Sequence, residues 1–70
     1  MEGVLKRALE SGRPVEIIYE AKDGTLSQRK VTIHRMNEKD ALVWCHTKNG
    51  LRSLKIQNIL SASPVRKNHA

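Results

Sequence analysis

The sequence predicts a mostly β (α+β) domain, one N-terminal helix followed by a strongly bent, five-stranded antiparallel sheet that closes toward a small barrel. Three observations carry this. Apolar residues in the first eleven positions recur at helical spacing. From Pro14 onward the period changes to alternation. Asp-Gly and Asn-Gly dipeptides then punctuate the alternating runs, as tight hairpin turns require.

Residues 2–11 form the predicted helix. Val4, Leu5, Ala8 and Leu9 make one apolar stripe, Gly12 stands where a left-handed C-cap is wanted, and Pro14 forbids continuation. A helix this short is marginal alone and has to dock. Val15, Ile17 and Tyr19 share one parity of the first strand, with Glu16, Ile18 and Glu20 on the other. The second strand runs from about Ser27 to Met36, and Asn37-Glu38-Lys39-Asp40 is a polar turn. Ala41 to Thr47 and Leu51 to Ile56 form the next hairpin around Asn49-Gly50, and a short turn near Gln57-Asn58 leads to a last strand, about Leu60 to Val65. The whole reads as one domain, residues 1–66 with the barrel over 14–65, and a polar tail over 67–70. Closure into a barrel would remove exposed strand edges.

Turn chemistry sets expected registers. A two-residue loop at Asn49-Gly50 puts Lys48 opposite Leu51, Thr47 opposite Arg52, Cys45 opposite Leu54, and Val43 opposite Ile56. On the other face it puts Trp44 opposite Lys55, within cation–π reach, and His46 opposite Ser53. Arg52 then has core-face parity at a strand end and emerges at the barrel mouth. In the first hairpin, a two-residue loop would set Ile17 against Lys30, a mismatch. A bulge or three-residue loop is expected instead, pairing Ile17 with Val31 and Val15 with Ile33, and placing Arg29 opposite Tyr19 on the inward face.

Seventy residues bury only about 60% of their unfolded surface, which leaves a thin core and little room for a deep active-site cleft. Met1 reads as a start, so the sequence is expected to be the whole chain. No run approaches the ~18 apolar residues of a membrane span, and the charged first residues do not resemble a secretory peptide. The lone Cys45 excludes an internal disulfide. Together these point to the cytoplasm. Thirteen Lys/Arg against seven Asp/Glu give a formal charge of +6, which favours anionic partners.

Chemistry of other kinds finds little footing. Cys45 and His46 are adjacent on a strand and point to opposite faces, so they cannot act as a thiol–imidazole couple. His34, His46 and His69 lack metal-ligand spacing. Glu16 and Glu20 read as solvated strand positions, and Lys22-Asp23-Gly24 and Lys48-Asn49-Gly50 as hairpin turns rather than phosphate loops. No catalytic residue, metal or cofactor is expected.

Three stretches carry a family resemblance: Val15-Glu16-Ile17-Ile18-Tyr19-Glu20, Ser27-Gln28-Arg29-Lys30-Val31, and the run from Leu42 to Ile59 that contains Trp44-Cys45-His46-Thr47-Lys48-Asn49-Gly50-Leu51-Arg52. With the leading helix they resemble the WYL domain, a small Sm-like (SH3-like) barrel of bacterial regulators, over residues 2–62. The family's name-giving Trp-Tyr-Leu aligns with Lys39-Asp40-Ala41 here. The resemblance implies a ligand-sensing barrel, often for a nucleotide or short nucleic acid, usually joined to a DNA-binding domain. It also implies that Tyr19, Arg29, His46 and Arg52 contribute to the ligand surface.

Arg29 and Arg52 read either as solvent-screened surface charges or as planar cations at the barrel mouth, suited to phosphate or carboxylate. Trp44, His46 and Lys55 form a secondary candidate surface. Against it, the helix stripe has to cover an apolar patch, and Trp44 with Leu42 supplies one, so Trp44 is expected beneath the helix. Single-stranded nucleic acid is usually held by several aromatic rings; Tyr19 and Trp44 are the two here, which favours a weaker electrostatic or small-ligand mode. The leading expectation is a non-catalytic regulatory module that binds an anionic ligand, a nucleotide or short single-stranded nucleic acid, through Tyr19, Arg29, His46 and Arg52. The alternative is a protein-interaction or homo-oligomerising barrel.

Overall fold

A computed structural model describes residues 2–65. Helix α1 (Glu2–Ser11) is followed by strands β1 (Val15–Glu20), β2 (Leu26–Met36), β3 (Asp40–Cys45) and β4 (Gly50–Lys55), a 3-10 turn (Ile56–Asn58) and β5 (Ile59–Pro64). The predicted tail, 67–70, lies outside the described residues, as does Arg66.

The helix ends as its sequence dictates. Gly12 adopts φ +71° and its N–H donates to the Ala8 carbonyl, closing the last turn. Ser11 Oγ accepts from the Arg13 N–H, and Pro14 then starts the extended chain. Leu5 and Ala8 are buried and Val4 and Leu9 half-buried, so the predicted stripe is the docking face. It packs on β2 and β5.

All strand neighbours are antiparallel, in the order β4-β3-β2-β1-β5. The sheet is barrel-like but not closed, because β4 and β5 end the order without pairing to one another. A side-chain tie spans part of the gap: the Tyr19 hydroxyl of β1 accepts from the Lys55 N–H at the end of β4, 3.2 Å.

Both outer hairpins correct the expected registers. In the first, the loop has the expected three residues but is Lys22-Asp23-Gly24, between the bonded Ala21 and Thr25. Gly24 takes φ +88°, and Asp23 Oδ1 accepts from the Thr25 N–H. Val15 therefore pairs with Val31 and Ile17 with Arg29; Tyr19 faces Ser27, not Arg29. In the β3–β4 hairpin, His46-Thr47-Lys48-Asn49 is a four-residue turn, and β3 stops at Cys45 rather than Thr47. Asn49 alone adopts the left-handed region, φ 59°, and Gly50 already belongs to β4 opposite Cys45. Val43 consequently faces Arg52, Ala41 faces Leu54, Trp44 faces Leu51 and Asp40 faces Lys55. The expected pairs Lys48–Leu51, Thr47–Arg52, Cys45–Leu54, Val43–Ile56, Trp44–Lys55 and His46–Ser53 do not form. Both slips are even numbers of residues, so each side chain keeps its face.

The β2–β3 turn is built by Asn37, whose Oδ1 accepts from the N–H groups of Lys39 and Asp40. Bulges interrupt β2 near His34 and β5 near Leu60, and both bend the sheet. The core is formed by Leu5, Ala8, Val15, Ile17, Val31, Ile33, Ala41, Val43, Cys45, Leu54 and Ile59. Trp44 does not lie beneath the helix. It sits between the buried Val43 and Cys45 in β3 and so points to the opposite, outer face, where it is half-buried. Leu42 has the same parity and is exposed.

Candidate anion site

Tyr19 and Arg29 both have core-face parity, being two positions from the buried Ile17 and Val31. Each lies one step beyond the sealed core and is half-buried. Because Tyr19 pairs with Ser27, Arg29 is its diagonal neighbour, a separation that long side chains bridge. The Arg29 guanidinium carbon lies 5.5 Å from the centre of the Tyr19 ring, a cation–π contact that contributes about 0.5–1 kcal/mol near solvent.

Ser27 adds the third contact. Arg29 Nε donates to Ser27 Oγ at 3.1 Å. Ser27 and Tyr19 thus hold one edge and one face of the guanidinium, while its terminal nitrogens have no hydrogen-bond partner among the described residues. The Tyr19 ring is itself fixed, packed against the core at its base and bonded through its hydroxyl to Lys55 N–H. An arginine held in this way keeps its terminal N–H donors available, in the fork geometry that phosphate or carboxylate oxygens accept.

Arg52 shares the core-face parity through its partner Val43 and is exposed, but it sits in the middle of β4, not at a strand end. His46 follows the end of β3, with its N–H donating to the Lys30 carbonyl. Its Nε2 lies 2.7 Å from Thr32 Oγ1, and Thr32 pairs with Trp44 on the outer face. His46 is therefore drawn toward Trp44, not toward Tyr19 and Arg29. Lys55, expected opposite Trp44, faces Asp40. Cys45 is fully buried, which fits its reading as a small core residue.

Two participants escaped the sequence reading, Ser27 and Thr32. Serine and threonine on a strand are unremarkable singly; only the observed register puts them beside Arg29 and His46. Among the described residues, no group of three or more His, Cys, Asp and Glu could hold a metal ion, and no helix is long and apolar enough to cross a membrane. The surface hollow of about 450 Å³ lined by Glu38, Lys39, Asp40, Lys55 and Gln57 does not include Tyr19 or Arg29. The hollow of about 320 Å³ between α1 and Pro64 does not include them either.

A leading helix on a five-stranded, strongly bent antiparallel sheet, with a tyrosine-backed arginine at its rim, makes a small barrel-like α+β domain. The WYL-domain family model matches residues 3–64, and the chain belongs to that family. Among solved structures, proteasome accessory factor B/C (PafBC) of Arthrobacter aurescens is similar, with a TM-score of 0.78 and 20% identity over 90% of this chain. This chain corresponds to 11% of the length of that protein, and the likeness is one of fold. Comparison with curated protein sequences gives no match.

Proposed function

We propose that the chain is a non-catalytic regulatory module that senses an anionic ligand, a nucleotide or short single-stranded nucleic acid. The observation that carries this reading is Arg29, held by Ser27 Oγ and the Tyr19 ring, with its terminal nitrogens unpartnered among the described residues. Fixing a guanidinium before the ligand arrives reduces the entropy lost on binding. The surplus of thirteen Lys/Arg over seven Asp/Glu supports the same sign of ligand. Arg52 is the second cation of this reading, and Tyr19, beside Arg29, its aromatic group. His46 serves at the periphery, since it is bonded to Thr32 on the outer face.

Amide chemical shifts followed during titration with a mononucleotide and with a short single-stranded oligonucleotide test this. The expected result is saturable shifts at Tyr19, Ser27 and Arg29, an affinity that falls as salt rises, and a loss of about tenfold or more in Arg29→Ala. Absence of binding, or equal binding by Arg29→Ala, would overturn the reading. Trp44 fluorescence is the wrong probe for this site, because the ring lies on the other face.

A further inference from the structure

The outer face of β3 and β4 carries an apolar patch that the core does not use. Leu51 sits directly opposite Trp44, and Leu42 is the next outward residue on β3. Leu51 is 58% and Leu42 37% exposed, with Trp44 half-buried between them. Single exposed leucines are ordinary, but contiguous large apolar groups mark a contact surface.

This patch ends at a strand edge that is unpaired among the described residues. β4 is terminal in the sheet. In an antiparallel ladder, hydrogen-bonded and non-hydrogen-bonded pairs alternate along the strand. Lys55 donates its N–H to Tyr19 Oη, away from β3, so residue 55 belongs to a non-hydrogen-bonded pair. The uninterrupted register then assigns Ser53 and Leu51 to the same class. Their N–H and C=O groups point outward, while Gly50, Arg52 and Leu54 hold the ladder to β3. Among the described residues, no turn or side-chain hydrogen bond occupies Leu51 or Ser53.

Charge selects the occupant. Arg35 pairs with Leu42, Lys30 lies one row beyond Thr32, and Lys55 stands on β4 itself. The carboxylate at this ribbon is Asp40, at its far end opposite Lys55. A second copy would bring another chain of formal charge +6 onto this edge, and like charges across paired strands destabilise. A base-stacking role suits the patch less well, because its exposed members are aliphatic and its one ring is half-buried.

We propose that the free edge of β4 takes an extended acidic segment of a partner protein as an added strand, with an apolar side chain of that segment seated on Leu51 and Trp44. Strand addition supplies main-chain hydrogen bonds for affinity and alternate side chains for selectivity. The surface lies on the opposite face from Arg29 and stands or falls independently of the anion site.

The test uses the full chain with an extended peptide of alternating valine and glutamate, and a valine–lysine peptide as control. Binding is read by Trp44 fluorescence and by protection of the Leu51 and Ser53 amides against hydrogen exchange. The expected result is a fluorescence change and protection with the acidic peptide alone, weakening with salt. Ser53→Pro removes an outward N–H without touching the β3 ladder, and edge positions tolerate proline. Both Ser53→Pro and Leu51→Ser are expected to weaken binding by about tenfold; should the proline variant unfold, Leu51→Ser decides alone. Equal binding of the lysine peptide overturns the proposal, as does unchanged affinity in Leu51→Ser. So do a Trp44 response to single-stranded oligonucleotide in place of the peptide and a concentration-dependent rise in mass, which would assign the edge to nucleic acid or to a second copy.

Discussion

The Tyr19 hydroxyl accepts the Lys55 N–H across 36 positions of sequence, tying β1 to the end of β4. The same ring carries Arg29 on its face. Tyr19→Phe separates the two roles, keeping the ring and deleting the tie. Stability is expected to fall by about 1 kcal/mol, the net value of one such bond. Urea unfolding measures the loss. Faster amide exchange at Lys55 with unchanged shifts at Arg29 would locate it.

Cys45 is fully buried between Val31 and Gly50 in the core-face row. Its thiol is expected to react with disulfide reagents slowly in the native protein and fast in urea, the native rate tracking the population of open states. Cys45→Ser places a hydroxyl in an apolar site and is expected to cost about 1–3 kcal/mol. Reactivity in native buffer matching that in urea would show the core to be loose.

Two turns depend on left-handed backbone. A Cβ added at Gly24 meets nothing within 4 Å, so the cost of Gly24→Ala arises from φ +88° alone. It is expected to be about 1 kcal/mol. Asn49, at φ 59°, tolerates this region better than most residues. Asn49→Gly is expected to change stability by only a few tenths of a kcal/mol, and Asn49→Val to lower it by about 1–2. Thermal melts of the three variants check the order.

The Asp23 carboxyl is held below its ordinary value, first by the Thr25 backbone N–H and then by the Thr25 side chain. With the folded pKa lowered, the stabilisation is present above the unfolded value of 3.8 and is lost as pH falls through the folded one. A carboxyl titration is expected to give a midpoint below 3.8. Asp23→Asn should flatten the pH dependence of unfolding in that acid window alone.

What was legible in the sequence follows from periodicity. The helix and its cap, all five strands and the inward parity of Tyr19, Arg29 and Arg52 could be read because a core face repeats every second residue in a strand. Register was less legible for the same reason. Moving Cys45 from Leu54 to Gly50, or Ile17 from Val31 to Arg29, leaves every face unchanged, so burial patterns do not discriminate between the alternatives. Turn chemistry had to decide. Asn49-Gly50 resembles a two-residue loop, whereas Asn49 closes a longer one and Gly50 enters β4. Trp44 is misplaced for another reason: the helix stripe has to cover an apolar patch and Trp44 with Leu42 supplies one, whereas the stripe docks on β2 and β5 and parity sets Trp44 on the outer face.

The bulged last strand has a bearing on how the protein behaves in concentrated solution. Over Ile59–Pro64, the sequence ILSASP contains no charged side chain, and Leu60 is 50% exposed at the bulge. A straight, neutral edge of this kind is a template for runaway self-pairing, and charge is the usual protection. Here a kink at Leu60 and a terminal proline break the template into pieces too short to propagate. Protection of the β5 edge against self-pairing therefore rests on backbone geometry and not on charge.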